Sequence, residues 1–399
     1  MFDDPGLNSL AITLLTIGVV MGGILTICMY LILLERKLSA WMQDRVGPNR
    51  VGPFGFLQPL ADGAKFLLKE DVIPAHVDKV LYVVAPTISC LTTMLAFAVV
   101  PFGPVDEAPD WLRFIIAPNV DLGLVFIFAV TSLAVYGIIL GGWASNNKYS
   151  ALGSLRASAQ VVSYEIPLGM SVLGIALLSG TLNLEQLVAR QAEAGLLGWN
   201  IWYQPLAGLI FFTAALAESN RLPFDLAECE QELVGGFHTE YSSMKFALFF
   251  LGEYTHVVTV SFLTSVLFFG GWHCPWIADA SSTYVGAWAV KLLVLLTKVL
   301  LCIVLIMLLR WTIPRFRFDQ LMGMAWKVLI PLSLANVVLV MCVLQFGWNK
   351  WWLPAGSLML FVTAGVIGAN ASRSEISRRG HVGSTVPKAM SPPAAMSAH

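Results

Sequence analysis

The chain has 399 residues, of which 57% are hydrophobic and only 12% charged, with a net charge of −1 and a mean hydropathy of +0.73. This composition excludes a soluble globular enzyme and indicates a polytopic membrane protein. Cys28, Cys90, Cys229, Cys274, Cys302 and Cys342 are scattered singly with no CxxC pair, the six histidines are dispersed, and neither a GxGxxG motif nor a P-loop is present. The expectation is therefore a chain with no flavin, iron–sulfur cluster, metal or disulfide framework of its own, in which nucleotide chemistry comes from partners.

Residues 1–9 form a short acidic lead to an apolar run over residues 10–34, long enough to span a bilayer. No basic stretch precedes this run and no small-residue cleavage site follows it, so it does not read as a signal peptide. A segment rich in Gly, Pro and basic residues comes next. Within it Phe56, Leu57, Leu60, Ala64, Leu67 and Leu68 fall near helical period, with Asp62, Lys65 and Lys69 elsewhere. The pattern predicts an amphipathic helix lying in the interface, serving either as an entry surface for a lipid-like molecule or as a plain anchor.

Further apolar runs cover residues 81–100, 122–142, 161–179, 201–217, 244–269, 287–309, 328–346 and 352–369, giving nine candidate spans. Pro331 and Pro354 fall near the starts of the last two, where proline is tolerated. Residues 10–347 read as the membrane core, 352–370 as an extra span, and 371–399 as a polar, disordered tail. If the first connection is cytoplasmic, alternation places 19 of the 24 Lys and Arg inside and only Arg113, Arg190 and Lys350 outside. The amino terminus is then expected outside. Lys291 reads as an interface anchor. Lys298, mid-span, reads either as the counter-charge of a buried acid or as a snorkelling or structurally paired base. Trp199, Trp202, Trp272, Trp276, Trp348, Trp351 and Trp352 read as an aromatic belt near the outer ends.

The most unusual stretch is residues 218–254, with Glu218, Asp225, Glu228, Glu230, Glu232, Glu240 and Glu253 against only Arg221 and Lys245. Long apolar runs flank it, so several of these carboxylates are expected at or inside the bilayer edge. Crowded, poorly hydrated carboxylates exchange protons when their surroundings change, which suggests an ion path. For residues 225–232 a solvated acidic loop remains the alternative. Glu253 is harder to explain that way, because it lies about 13 Å along a helix that starts near Met244.

Four long motifs carry a family resemblance: ERKLSAWMQDRVGPNRVGPFGFLQPLADGAKFLLKE from Glu35, SYEIPLGMS from Ser163, ALAESNRLPFDLAECEQELVGGFHTEYSSMKFALFFLGEY from Ala215, and RWTIPRFRFDQLMGMAWK from Arg310. Together, in this order, they resemble the H subunit of the proton-pumping NADH:quinone oxidoreductase, respiratory complex I. The resemblance covers residues 10–346 and, with the apolar runs, gives an all-α membrane protein with eight core transmembrane helices and an interfacial helix after the first span; the ninth helix, at the carboxy terminus, lies beyond the common core, and an extra helix there occurs in some members. The protein would sit in a bacterial cytoplasmic membrane or an equivalent energy-transducing membrane, as the bridge between the peripheral arm and the antiporter-like subunits.

The implied partners are the soluble quinone-site and iron–sulfur subunits, the small and antiporter-like membrane subunits, lipid and quinone, with no nucleic acid. Quinone is the implied substrate, and no redox centre is implied in the chain itself. The quinone tunnel would involve Arg36, Asp62, Lys65, Phe250, Arg310 and Arg315. The acidic coupling path would comprise Glu35, Glu165, Glu218, Asp225, Glu228, Glu230, Glu232 and Glu253. The equivalent subunit of an F420H2 dehydrogenase or a membrane-bound hydrogenase is the alternative within the same class. A free-standing ion transporter is the alternative from another class, and the chain shows no pair of inverted repeats with matched broken helices to favour it.

Overall fold

The computed structural model describes residues 5–103, 115–118, 120–226, 233–275, 277–278 and 286–383, with backbone alone at 5–9 and 369–383. The regular structure of the described residues is helical, apart from one isolated antiparallel bridge between Cys274 and Ala278. The helices are α1 (Pro5–Met42), α2 (Gln58–Leu68), α3 (Lys79–Leu95), α4 (Gly123–Ala144), α5 (Lys148–Ser179), α6 (Leu184–Ala192) and α7 (Asn200–Tyr203). They continue with α8 (Pro205–Glu218), α9 (Ser243–Phe268), α10 (Ala287–Thr312), α11 (Phe318–Met324), α12 (Ile330–Gln345) and α13 (Trp352–Gly383). Side-chain caps mark several starts: Asp78 accepts from the amides of Val80 and Leu81, Asn147 from Tyr149, and Asn183 from Glu185. The protein is an all-α polytopic membrane protein, as expected from the sequence.

Seven of the nine expected runs form helices long and apolar enough to cross a bilayer, while the apolar helices at Pro205–Glu218 and Trp352–Gly368 are shorter. The run expected over residues 201–217 is divided because Pro205, which lacks an amide hydrogen, begins a new helix after Gln204. The buried Gln204 side chain donates to the Gly174 carbonyl at 2.9 Å and fixes this break against α5. The eighth run differs too. A continuous helix runs over Phe318–Gln345 and includes a π-helical turn at Ala325–Leu329 just before Pro331. Proline removes one backbone bond and crowds the preceding turn, and the wider turn accommodates it. Helix α13 continues to Gly383, through part of the segment expected as a polar tail, and residues 384–399 lie outside the described residues.

The most heavily buried span is α9. Its Thr255, Thr259, Ser261, Thr264 and Ser265 hydroxyls bond to carbonyls four residues back, so this polar helix satisfies itself within the core. Close approach of its neighbours rests on small residues: a Cβ on Gly137 of α4 would lie 2.9 Å from the Ala85 carbonyl of α3. The helix expected after the first span is present as α2, with Leu60, Leu67 and Leu68 exposed.

Some expectations change with the packing. Lys291 is buried, not presented at the interface. Lys298 Nζ donates to the carbonyls of Phe269, Gly271 and His273 at 2.7, 2.8 and 2.6 Å and lies over the Trp199 ring at 4.6 Å. It therefore clamps the end of α9, as the structural alternative has it. Trp202, Trp348, Trp351 and Trp352 are exposed and Trp199 is half-buried, but Trp272 is buried, and Trp276 lies outside the described residues.

Candidate functional site

Glu35 lies near the end of α1 with its side chain 11% exposed, and three groups from distant parts of the chain converge on it. Arg310 Nη1, from the last turn of α10, donates to Oε1 at 2.5 Å. Arg221 Nη1, from the loop after α8, donates to Oε1 and Oε2 at 3.3 and 3.1 Å. The Tyr254 hydroxyl, from α9, donates to Oε2 at 2.5 Å, and the Arg221 guanidinium lies 4.3 Å from the centre of the Tyr254 ring. Two guanidiniums thus share one carboxylate. Burial opposes the charge of Arg221, but the field of Glu35, with Tyr254 and Glu253 beside it, outweighs burial and holds the guanidinium pKa above its ordinary value.

The loop that delivers Arg221 is itself held. Buried Gln160 of α5 donates to the carbonyls of Ala217 and Phe224 at 2.8 and 2.9 Å. Phe224 stacks on Phe316 with centroids 5.6 Å apart, and Arg315 pairs with Asp225 at 2.9 Å. The loop contains a cis peptide at Leu222–Pro223. The connection after α10 and the loop after α8 are therefore latched to each other.

Successive helical residues point about 100° apart, so Arg36 faces α2 where Glu35 faces inward. Arg36 pairs with Asp62 at 2.7 Å, and Asp62 also accepts from Gln58 at 3.2 Å. Lys65 is 3.9 Å from Asp62. Between α1, α2 and α9 lies a partly open, almost wholly apolar cavity of about 310 Å³, lined by Met29, Ile32, Arg36, Asp62, Phe66 and Phe250 among others. Two further cavities, of about 230 and 490 Å³, adjoin the Glu35 cluster. Phe250 and Tyr254 line all three.

A smaller polar cavity of about 50 Å³ shares Asn220 and Glu253 with the 230 Å³ cavity, and it reaches Glu218, His256, Ser89 and Thr131. It has room and polar partners for water. His256 Nε2 is 3.5 Å from Glu218 Oε1, and Ser132 donates to Glu165.

The structure thus brings Glu35, Arg36, Asp62, Asp225, Phe250, Glu253 and Arg310 onto the walls of adjoining cavities, with Glu218 one cavity further on. Lys65 and Arg315 line none of these cavities and act on lining carboxylates instead. Glu165, bonded by Ser132, lines none of these cavities, while Glu228, Glu230 and Glu232 lie outside the described residues. Sequence reasoning did not assign a role to Arg221, Tyr254 or His256. The signal for Arg221 was available, since it is one of only two bases in the acidic stretch.

A family model described as NADH dehydrogenase matches residues 15–341. The chain is 45% identical over 323 residues to H subunit 1 of the NADH-quinone oxidoreductase of Cytophaga hutchinsonii, covering 81% of this chain and 94% of the relative. It is 46% identical over 340 residues to the NADH-quinone oxidoreductase H subunit of Leptospira biflexa, covering 83% and 94%. The chain belongs to the H-subunit family of the NADH-quinone oxidoreductases. NADH-quinone oxidoreductase subunit 8 of Rhodothermus marinus is also similar, 46% identical over 317 residues, 78% of this chain and 90% of that one. As a member of this family, the protein is a membrane component of a multisubunit enzyme, complex I, and partners its other subunits. The family match ends before α13, and among the described residues no group of three or more His, Cys, Asp or Glu is placed to hold a metal ion.

Proposed function

We propose that the adjoining cavities form this chain's part of the quinone-access route of complex I, and that the acids beyond them couple quinone reduction to proton translocation. The observation that carries this reading is the Glu35, Arg221, Arg310 and Tyr254 cluster beside an otherwise apolar cavity. Apolar walls suit an isoprenoid tail, and the few fixed charges suit a headgroup that becomes more electron-rich on reduction. Arg36, Asp62 and Phe250 line the tail's path, Arg310 stands near the headgroup side, and Lys65 and Arg315 orient Asp62 and Asp225. Electrons arrive from iron–sulfur partners of the peripheral arm, with no redox centre in this chain.

The acid path begins at Glu35, passes Asp225 and Glu253, and continues to Glu218 and Glu165, with Glu228, Glu230 and Glu232 on the adjoining loop. A change in headgroup charge alters the field at the Glu35 cluster, and Glu253 and Asn220 border both the cluster's cavity and the polar one that leads to Glu218 and His256. The basic-residue count puts the clustered ends of α1, α9 and α10 on the cytoplasmic side, facing soluble partners, with the amino terminus outside. Antiporter-like membrane subunits would receive the change.

A photoreactive long-tailed quinone added to the assembled complex tests the reading. Label on residues 25–36, 58–67 and 244–254 is the expected result. Label confined to other parts of the chain, or competed by no quinone, would overturn it.

A further inference from the structure

One wall of the apolar cavity has little packing of its own. In α2 only Pro59 is buried, and Leu67 and Leu68 are 70% and 87% exposed. Apart from Phe66, whose ring centre lies 6.3 Å from that of Phe246 on α9, polar contacts hold it. Near its start Lys37 Nζ donates to the Phe54 carbonyl at 2.6 Å, and at mid-helix Arg36 pairs with Asp62.

At its other end the Ser243 hydroxyl lies 3.0 Å from the Phe66 carbonyl and 2.9 Å from the Lys69 carbonyl. The Phe66 carbonyl belongs to the last turn of α2, whose carbonyls have no donor within the helix. Beside it Lys245 pairs with Asp71, and its ammonium also lies 5.7 Å from the centre of the Tyr82 ring. Ser243 adopts a left-handed φ of 51°, and Lys245 is buried. Both residues open α9, the helix whose Met244, Ala247, Phe250, Leu251 and Tyr254 form the opposite wall of the cavity. Ser243 and Tyr254 are separated by about 16 Å of helix rise.

We propose that Ser243 and Lys245 clasp the end of α2 to the start of α9 and set the gap between the two cavity walls, making them positioning residues that determine how tightly a long isoprenoid tail is gripped. The inference rests on the quinone reading above. Because the clasp sits far along α9 from the Glu35 cluster, releasing it loosens the tail's channel and leaves the headgroup contacts intact. Discrimination by tail length is the consequence.

The test compares a long-tailed with a short-tailed quinone in the assembled complex carrying Ser243→Ala or Asp71→Asn. Asp71 is half exposed, so Asp71→Asn removes the ion pair of the clasp and adds no bulk to the core. The KM for the long-tailed quinone is expected to rise ~3- to 10-fold, the size of one net hydrogen bond, while kcat and the KM of the short-tailed quinone stay unchanged. Lys245→Arg, which keeps the ion pair, is expected to behave as wild type. Equal effects on both quinones, or none on either in Asp71→Asn, would overturn the clasp. Gly63→Trp separates the two ideas, because Gly63 lines the same cavity with open space above it. If Gly63→Trp raises the long-tail KM and the clasp variants do not, only the clasp fails. If Gly63→Trp also has no effect, the quinone reading fails with it.

Discussion

Tyr254 donates its phenolic hydroxyl to Glu35 at 2.5 Å across 219 residues of sequence, and the same carboxylate accepts from Arg221 and Arg310. A carboxylate held by two guanidiniums and a phenol is fixed in place. In the quinone reading proposed above, it serves as a local electrostatic reference for the redox headgroup.

Glu35→Gln removes the anion and leaves two guanidiniums facing each other. Breaking a buried pair from one side costs about 3–5 kcal/mol, so the protein should unfold at a lower temperature. In complexes that assemble, the quinone reductase rate should fall at least ~10-fold, as expected where fixed charge stabilises a reacting group. Tyr254→Phe removes one hydrogen bond to a charged group, worth about 1.5–3 kcal/mol, and should have a smaller effect in both assays. Thermal unfolding and steady-state rates in the same preparations check both.

Glu218→Gln and Glu253→Gln interrupt the polar cavity without touching the apolar one. Reduced proton translocation per quinone reduced, measured in vesicles containing the assembled complex, is the expected outcome. Unchanged quinone reductase rate and unchanged proton stoichiometry in both variants would remove these acids from the coupling path.

Lys298→Met strips the donor from three carbonyls at the end of α9. Leaving buried acceptors without a donor costs about 1–3 kcal/mol each, so a clear fall in thermal stability is expected. The quinone reductase rate of the surviving complex should match wild type. A specific loss of proton translocation instead would restore Lys298 as a functional counter-charge.

Removing α13 by ending the chain at Gly347 should leave the quinone reductase rate intact, since α13 lies outside the cavities and beyond the family match. Stability should fall, because Leu353 packs with Val340 and Val343, and Ser357 bonds to the buried Asn336 at 3.4 Å. Activity and thermal unfolding of the truncated complex measure the two effects separately.

The sequence by itself determined the membrane class, most of the spans, the helix after the first span and the motifs of the H-subunit family. These follow from local properties: apolar length, helical period and residue order along the chain. The break at Gln204 and Pro205 and the π turn before Pro331 were not legible in the same way, because hydropathy continues through both while the backbone bonding changes.

Only the tertiary structure decided which charges meet. Glu35, Arg36 and Arg310 were legible as candidates, but the joining of Arg221 and Tyr254 to Glu35, of His256 to Glu218 and of Lys298 to three carbonyls depends on how each helix is rotated and which face it turns to its neighbours. Hydrophobic pattern in a mostly apolar span scarcely constrains that rotation, since lipid and protein core accept the same side chains. The packing of small residues and the satisfaction of buried polar groups fix it, and both exist only once the helices are assembled.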